Sequence, residues 1–518
     1  MSGRLVAASA LAVLLTLCVG IFDHEIWSPT EPAVAGVAWN MVDRGHWAAP
    51  MIGDALYLEK PPLYYWLGAL ACSAGGRLDA GLLRLPAALA GLGALALVGW
   101  IVRRRHGDDA AAVAVLLGAT AIPILELAHR ATPDVLALFF AFLGFALYAR
   151  GSRWDWALAA ALAASFYAKN FFVLFVVAPP IALDLLLQRE WRRALRLGFA
   201  TLGFSALFIA PWALALHAAG GDEALRVVFV DNTLGRLVDV APDAWPSMGP
   251  LNDAWTAERD GPLWTYLLYL PAIAAPWTLA AVAALPLLYR RAGRDAHRRF
   301  LGIALLTVPL VLTLASSRNS AYLRPLAWVP LLAVAELLVS PLRRWQRVLL
   351  EVNLGLVLAA VAGVAAAIAV RFGGAMAVGW AVCCVAAAVF VARRQRNPFG
   401  VAAFAAAGLA GSLFVAVPHI DAERSTAAFF AAARGEVEGR AVYATRIDDR
   451  RYPLLTWYLR RPVPVLASRE EAIARLAGGE PVGVFVPEGP YRRGAWDDVP
   501  HRALEAPSGK RSFVLLLN

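Results

Sequence analysis

Apolar runs of about 20 residues recur along the first four fifths of the chain, and they limit its fold more than any other feature. A helix needs about 20 mainly apolar residues to cross a bilayer. The runs predict thirteen spans, near residues 4–22, 82–102, 109–128, 133–149, 154–168, 171–187, 194–217, 263–288, 300–316, 321–340, 346–370, 374–392 and 399–418. Composition agrees, since 60% of the residues are hydrophobic and only 17% are charged. We therefore predict an all-α polytopic membrane protein.

Arginine is concentrated in every second connection between the predicted spans. The basic connections are residues 103–106, 150–153, 188–193, 289–299, 343–347 and 393–396. The short connections between them, at 129–132, 168–170, 317–320 and 371–373, hold one lysine or arginine each. Because cytoplasmic loops carry the excess of these residues, we expect the N-terminus inside and the C-terminus outside. The net charge of +10 follows from this asymmetry and does not indicate nucleic-acid binding.

Two connections on the predicted outer side, residues 23–81 and 218–262, are far longer than helix–helix connections usually are. Long loops on a rigid scaffold are where binding and catalytic residues commonly lie. Residues 419–518 differ in composition: RAVYATR, PVPVLAS, PVGVFVPE and RSFVLLLN predict strands, and SREEAIARL predicts a capped helix. We therefore predict a transmembrane domain over 1–418 and a small extracytoplasmic α/β domain over 419–518.

The segment YLEKPPLYYW, in the first long loop, contains one of only three lysines in 518 residues. Pro61 and Pro62 restrict the residues before them to extended backbone, so Glu59 and Lys60 lie on a stiff segment ahead of a helix that begins near Pro62. One interpretation is an interfacial turn whose lysine reaches the headgroup region. The other is a fixed positive charge presented to a lipid phosphate.

Several segments together resemble a known family. The first loop reads WSPTEPAVAGVAWNMVDRGHWAAPMIGDALYLEKPPLYYW, and RLPAALAG, RATPD, AKN, DNTLGRLV and SRNSAYLRP follow in that order. The ordered set, spread over about 320 residues, resembles the aminoarabinose lipid A transferases and the related protein O-mannosyltransferases. These are membrane glycosyltransferases of the GT-C superfamily, so the resemblance implies a GT-C fold.

The resemblance implies a sugar donor carried on polyprenyl phosphate and transfer at the outer face of a bacterial inner membrane. The acceptor would be a lipid A-like glycolipid, another glycan or a protein. A leaving phosphate needs preplaced cations to stabilise its charge, and the resemblance assigns Lys60, Lys169 and Arg236 to this role. From the residues alone, Lys169 could equally end a helix, and Arg236 could contact headgroups or solvent.

The resemblance also assigns roles to residues that carry no positive charge. Asp134 would be a catalytic carboxylate lining the site, although a charge that favours the start of a helix explains it equally well. Tyr57 would contact the carrier or the sugar, and Tyr322 would close the cavity from above. Glu59 would bind a divalent metal or orient Lys60, and no other cofactor is expected.

Two departures from the family pattern affect the predicted chemistry. The family has Asp-Glu where this chain has Thr30 and Glu31, so Glu31 is the predicted catalytic carboxylate, with Asp23 and Asp43 as alternatives. Residues 318–320 read Arg-Asn-Ser where the family has Lys-Leu-Pro. A base is needed only if the acceptor is a hydroxyl, because its proton must then leave.

Two other functions stay open from the sequence. A transporter or flippase of lipid-linked sugars is disfavoured, because the middles of the spans are nearly free of ionisable groups. A non-catalytic relative that keeps the fold is consistent with the loss of the usual aspartate at Thr30.

Overall fold

A computed structural model describes residues 3–27, 29–234, 261–290, 295–315, 318–394, 397–445, 451–505 and 513–518. Helices dominate these ranges. The first eleven α-helices are α1 (Gly3–Cys18), α2 (Glu31–Arg44), α3 (Leu63–Ala74), α4 (Ala80–His106), α5 (Asp108–Ala119), α6 (Ile122–Ala128), α7 (Asp134–Ala149), α8 (Asp155–Ala164), α9 (Phe166–Lys169), α10 (Phe172–Leu187) and α11 (Trp191–Leu225). A π-helix over Arg226–Leu234 continues α11.

The predicted long loop 218–262 is wrong over its first part, because α11 and the π-helix continue to Leu234, and residues 235–260 lie outside the described residues. The second half of the membrane part follows. Its α-helices are α12 (Thr265–Tyr269), α13 (Thr278–Arg290), α14 (Ala296–Leu314), α15 (Trp328–Leu338), α16 (Arg344–Phe372), α17 (Gly374–Arg394) and α18 (Pro398–Arg424). Short 3-10 helices occupy Ser152–Trp154, Leu270–Ala274 and Ser320–Ala327.

Seven helical segments in the described ranges are long and apolar enough to cross a membrane, or nine if each of two bent pairs is one span. The two pairs, α5 with α6 and α12 through α13, bend by 66° and 105°. The polytopic fold is thereby confirmed. The other four predicted spans coincide with α1, α7, α8 and α10, which have 16 residues or fewer. At about 1.5 Å per residue such helices fall short of a hydrocarbon core of about 30 Å.

The first long loop is folded rather than open. After α2, strands β1 (Met51–Ile52) and β2 (Ala55–Leu56) form a small antiparallel hairpin, and α3 follows. The predicted helix near Pro62 is confirmed, since α3 begins at Leu63 with Pro62 as its N-cap residue. Proline is tolerated there because a helix's first N–H groups have no partner within the helix.

The C-terminal region forms a five-stranded mixed sheet with helices around it. Its elements are α19 (Ala427–Glu436), β3 (Ala441–Thr445), α20 (Tyr452–Leu459), β4 (Val465–Leu466), α21 (Arg469–Leu476), β5 (Val482–Pro487), α22 (Glu488–Arg492), β6 (Arg502–Glu505) and β7 (Phe513–Leu517). The strand order is β4-β3-β5-β7-β6, with β3 parallel to β4 and β5, and β7 antiparallel to β5 and β6. The four predicted strands are confirmed, and so is the helix capped by Ser468, whose hydroxyl accepts from the Glu471 N–H at 3.2 Å.

The C-terminal region packs directly on the first loop. A methyl group added to Gly36 of α2 would lie 2.8 Å from Cβ of Pro453 in α20. The backbone of α2 at Gly36 therefore packs directly against the Pro453 side chain. The Tyr458 hydroxyl donates to Oε2 of Glu25 at 3.1 Å. Asp421, at the end of α18, accepts from the Glu25 N–H at 3.0 Å and from Nε1 of Trp27 at 2.8 Å. These contacts fix the segment that leads into α2.

Candidate active site

A cavity lies where the first loop, α10, the π-helix and the end of α14 meet. Four predicted site residues line it: Glu59, Lys60, Lys169 and Tyr322. Its other lining residues are mostly apolar and aromatic, among them phenylalanines at 171, 172 and 175. The cavity therefore combines charged groups with an apolar wall, which suits a ligand with a charged head and an apolar tail.

Lys60 is oriented by its neighbour. Its Nζ lies 3.3 Å from Oε1 of Glu59, and the lysine side chain is only 17% exposed. The other oxygen of Glu59 accepts a hydrogen bond from the Tyr57 hydroxyl. The Tyr57 ring meets the Tyr65 ring edge to face, with 6.1 Å between centroids. The stiff Pro-Pro segment thus presents a lysine whose counter-ion is itself held by a packed tyrosine.

Lys169 is the second cation of the cavity. Its ammonium donates to Oδ1 of Asp134, and Asp134 accepts through its other oxygen from the Thr132 hydroxyl at 3.0 Å. The same ammonium lies 4.7 Å from the ring centroid of Phe172 and 5.0 Å from that of Tyr322. Aromatic faces attract cations, so Lys169 is stabilised by a carboxylate and two rings.

Burying a lysine is costly unless it is paired. Each of the two cavity lysines has a carboxylate beside it, Glu59 for Lys60 and Asp134 for Lys169. The pairs offset part of the cost of placing two lysines in a mostly apolar wall. The cavity therefore presents two cations, each beside its own carboxylate.

Glu31 lies in a buried ion pair away from the cavity wall. Its side chain is 2% exposed and makes a two-bonded ion pair with the buried Arg84, while the backbone N–H groups of Trp27 and Ala131 donate to it at 2.8 and 3.0 Å. Burial alone would raise the pKa of Glu31, but the charge of Arg84 and the hydrogen bonds hold it below its usual range. Glu31 is not among the described residues that line the cavity. This geometry gives Glu31 a structural role, and its catalytic role stays a prediction.

The two alternative acids of the first loop, Asp23 and Asp43, are exposed, and neither is among the described lining residues. Arg236 lies outside the described residues. Within the described ranges, no group of three or more His, Cys, Asp or Glu could hold a metal ion. The contacts of Glu59 favour orientation of Lys60, and its metal role stays a prediction.

Sequence reasoning chose no residue from the π-helix, yet that helix contributes Asn232 and Thr233 to the cavity wall. Nδ2 of Asn232 donates to the carbonyl of Leu58 at 2.8 Å, one residue before Glu59. π-Helical turns are rare and are frequent at functional sites. The segment DNTLGRLV was recognisable as a motif, but its contact with the first loop depends on tertiary structure. Asn170, also in the wall, was missed as well.

Comparison with known proteins supports the resemblance over different parts of the chain. The family described as dolichyl-phosphate-mannose-protein mannosyltransferase matches residues 59–215, which include Lys60, Asp134 and Lys169. The undecaprenyl phosphate-alpha-4-amino-4-deoxy-L-arabinose arabinosyl transferase 2 of Pseudomonas fluorescens is 28% identical over 326 residues, covering 60% of this chain and 55% of the relative. The corresponding transferase of Pseudomonas paraeruginosa is 26% identical over 377 residues, covering 68% of this chain and 64% of the relative. The alignments thus cover less than two thirds of these relatives' lengths.

The fold matches a solved structure over nearly its whole length. The crystal structure of ArnT from Cupriavidus metallidurans bound to undecaprenyl phosphate superposes with a TM-score of 0.73 at 18% identity, covering 99% of this chain and 97% of that one. This likeness establishes the fold, which is that of a polytopic membrane protein with the architecture of this structure. The sequence matches confirm the predicted resemblance, since the chain is similar to the aminoarabinose transferases.

Proposed function

We propose that this chain transfers a sugar from a polyprenyl-phosphate carrier to an acceptor in the bacterial cell envelope. The observation that carries the proposal is one cavity in which Lys60 and Lys169 each stand beside a carboxylate against an aromatic wall. Curated relatives named as undecaprenyl-phosphate sugar transferases support the same donor class.

The two lysines would bind the phosphate of the donor. During transfer the bond between the sugar's anomeric carbon and the phosphate oxygen breaks, and its electron pair stays on the phosphate. Preorganised cations stabilise that developing charge, usually the largest electrostatic contribution in such a step. Arg236 is proposed as a third cation because of its place in the family motif. Tyr57 and Tyr322 would contact the carrier and the sugar.

Asp134 is proposed as the carboxylate that serves the acceptor. When the donor phosphate enters, the Lys169 ammonium interacts with both the phosphate and Asp134. One carboxylate oxygen of Asp134 then becomes accessible to the acceptor. If the acceptor is a hydroxyl, its oxygen bonds to the anomeric carbon and its proton passes to that carboxylate. An acceptor that is already an anionic phosphate has no proton to lose. Glu31 is not needed in either case.

The acceptor classes are a lipid A-like glycolipid, another envelope glycan and a protein hydroxyl. We propose that the reaction occurs at the outer face of the inner membrane, with the N-terminus cytoplasmic and the C-terminal α/β region periplasmic. The arginine-rich connections support this orientation, because such connections are typical of the cytoplasmic side.

The test is transfer by the purified protein in detergent from a synthetic polyprenyl-phosphate sugar, followed by mass spectrometry of envelope lipids and glycoproteins from a deletion strain. The proposal predicts turnover in vitro and one missing sugar modification in the strain. A flippase would move the carrier lipid across vesicles without breaking the glycosidic bond. Absence of turnover with every acceptor class would overturn the proposal in favour of a transporter or a non-catalytic relative.

A further inference from the structure

Asn170 follows Lys169 in the cavity wall and has an unusual backbone. Its φ is 50° and its ψ is −147°, in the left-handed half of conformational space that favours glycine. The residue is 9% exposed, so this strained position lies in the interior beside the proposed phosphate site. Glycine would adopt the same backbone without that strain.

The side chain of Asn170 carries a second cost. Its Oδ1 is buried and has no hydrogen-bond partner among the described residues, although most buried acceptors have one. A buried acceptor without a partner destabilises the protein that holds it. Neither cost contributes to the fold, and both fall on one residue of the cavity.

We propose that Asn170 determines sugar specificity: when the donor binds, the side-chain amide turns toward the cavity, and its Oδ1 accepts a hydrogen bond from a hydroxyl or ammonium group on the sugar of the carrier lipid. The inference rests on the proposed function and extends it to the chemistry of the sugar. Lys169, the adjacent residue, would hold the phosphate, so the amide lies beside the group bonded to that phosphate. Glu59 and Asp134 already hold the lysines, whereas Oδ1 of Asn170 has no partner among the described residues.

The experiment measures the affinity of the full-length protein for two ligands, polyprenyl phosphate bearing a sugar and the same polyprenyl phosphate without one. The parent should prefer the sugar-bearing ligand. Asn170→Gly should lower that preference about 2- to 12-fold, the scale of one hydrogen bond, and should leave affinity for the bare carrier unchanged. Asn170→Asp keeps an acceptor oxygen and should retain the preference.

Arg189→Gly is the matched control. Arg189 also has a positive φ, 60°, but it is exposed at the end of α10. Both glycine variants should raise the melting temperature by relieving backbone strain, and only Asn170→Gly should change the ligand preference. An unchanged preference in Asn170→Gly would overturn the inference.

Ligands with different sugars distinguish a hydroxyl donor from an ammonium donor. If an ammonium group donates, Asn170→Asp should bind an amino-sugar carrier more tightly than the parent does, because a carboxylate replaces the neutral amide. If a hydroxyl donates, Asn170→Asp should show no such gain in affinity. Removing that hydroxyl from the sugar should then give the parent and Asn170→Gly the same ligand preference. A changed preference without turnover in any assay would sustain this inference and reject the transfer reaction. Failure of the parent to bind either ligand would reject both.

Discussion

Arg84 donates two hydrogen bonds to Glu31, from Nε to Oε1 at 2.7 Å and from Nη2 to Oε2 at 2.8 Å, and both side chains are buried. The remaining donors of Arg84 reach the backbone carbonyls of Ile21, His24 and Glu25 at 3.0, 2.8 and 2.6 Å. One guanidinium on α4 therefore connects the segment between α1 and α2 with the start of α2. The pair positions the first loop, from which Lys60 extends.

Glu31→Gln should destabilise the protein, because it leaves the buried charge of Arg84 without a counter-charge. Breaking one side of a buried pair costs about 3–5 kcal/mol. Denaturant titration of the protein in detergent measures the loss in its free energy of unfolding. The matched control is Glu423→Gln, which breaks the exposed pair with Arg371 and should cost about 0–1 kcal/mol.

Turnover of Glu31→Gln, normalised to folded protein, should stay within a few-fold of the parent. A variant that keeps the parent's stability and loses transfer would instead restore Glu31 as the catalytic carboxylate. In that case Thr30→Asp would show whether the family's aspartate raises the rate.

The Glu31 pair also predicts a pH dependence. The folded pKa lies below the unfolded value, so the stabilisation is complete above about 4.3 and is lost as the pH falls through the folded pKa. The difference in free energy of unfolding between parent and Glu31→Gln should therefore be constant above that pH and shrink below it. A difference that grows on acidification would contradict the sign.

The spans and the strands could be predicted because apolar length and flanking turns are local properties of the sequence. The helix α20, residues 452–459, could not be predicted, because a short apolar run is compatible with a strand as well as with a helix. Lys60 was found because lysine is rare in this chain, and Lys169 because it lies in a segment that resembles the family. Glu31 was given a catalytic role from its place beside Thr30 in the family pattern, whereas its ion pair with Arg84, 53 residues away, depends on tertiary structure. Asn170 lies in the same segment as Lys169, but its φ and its burial could not be predicted from the sequence.

Asp134 and Lys169 should act as a unit. Asp134→Asn leaves Lys169 without its counter-ion, and Lys169→Met removes the phosphate ligand and leaves Asp134 half-buried without its cation. Each change should lower turnover about a hundredfold or more, the scale of one lost charge-stabilising group. Because the residues are in contact, the double variant should cost much less than the product of the two single effects. Fully additive losses would show that the two side chains serve separate steps.

Topology is tested by reporter fusions. After Asn518, a reporter that works only in the periplasm should be active and one that works only in the cytoplasm should be inactive, because we propose that the arginine-rich connections lie on the cytoplasmic side. A second fusion within residues 343–347, one of those connections, should give the opposite result. Cytoplasmic activity of the C-terminal fusion would reverse the orientation and place the cavity on the wrong side for an envelope acceptor.

Lys60 gives the sharpest test of the phosphate site. Lys60→Ala should lower turnover about a hundredfold or more, because one preorganised cation is lost from the leaving phosphate. Lys60→Arg should recover only part of the rate, since a broad planar fork replaces a compact charge that Glu59 holds at 3.3 Å. Arg371→Ala removes an exposed cation and should leave turnover unchanged. If Lys60 only reaches the headgroups, the arginine variant should match the parent, and alanine should reduce stability in the membrane without a selective loss of turnover.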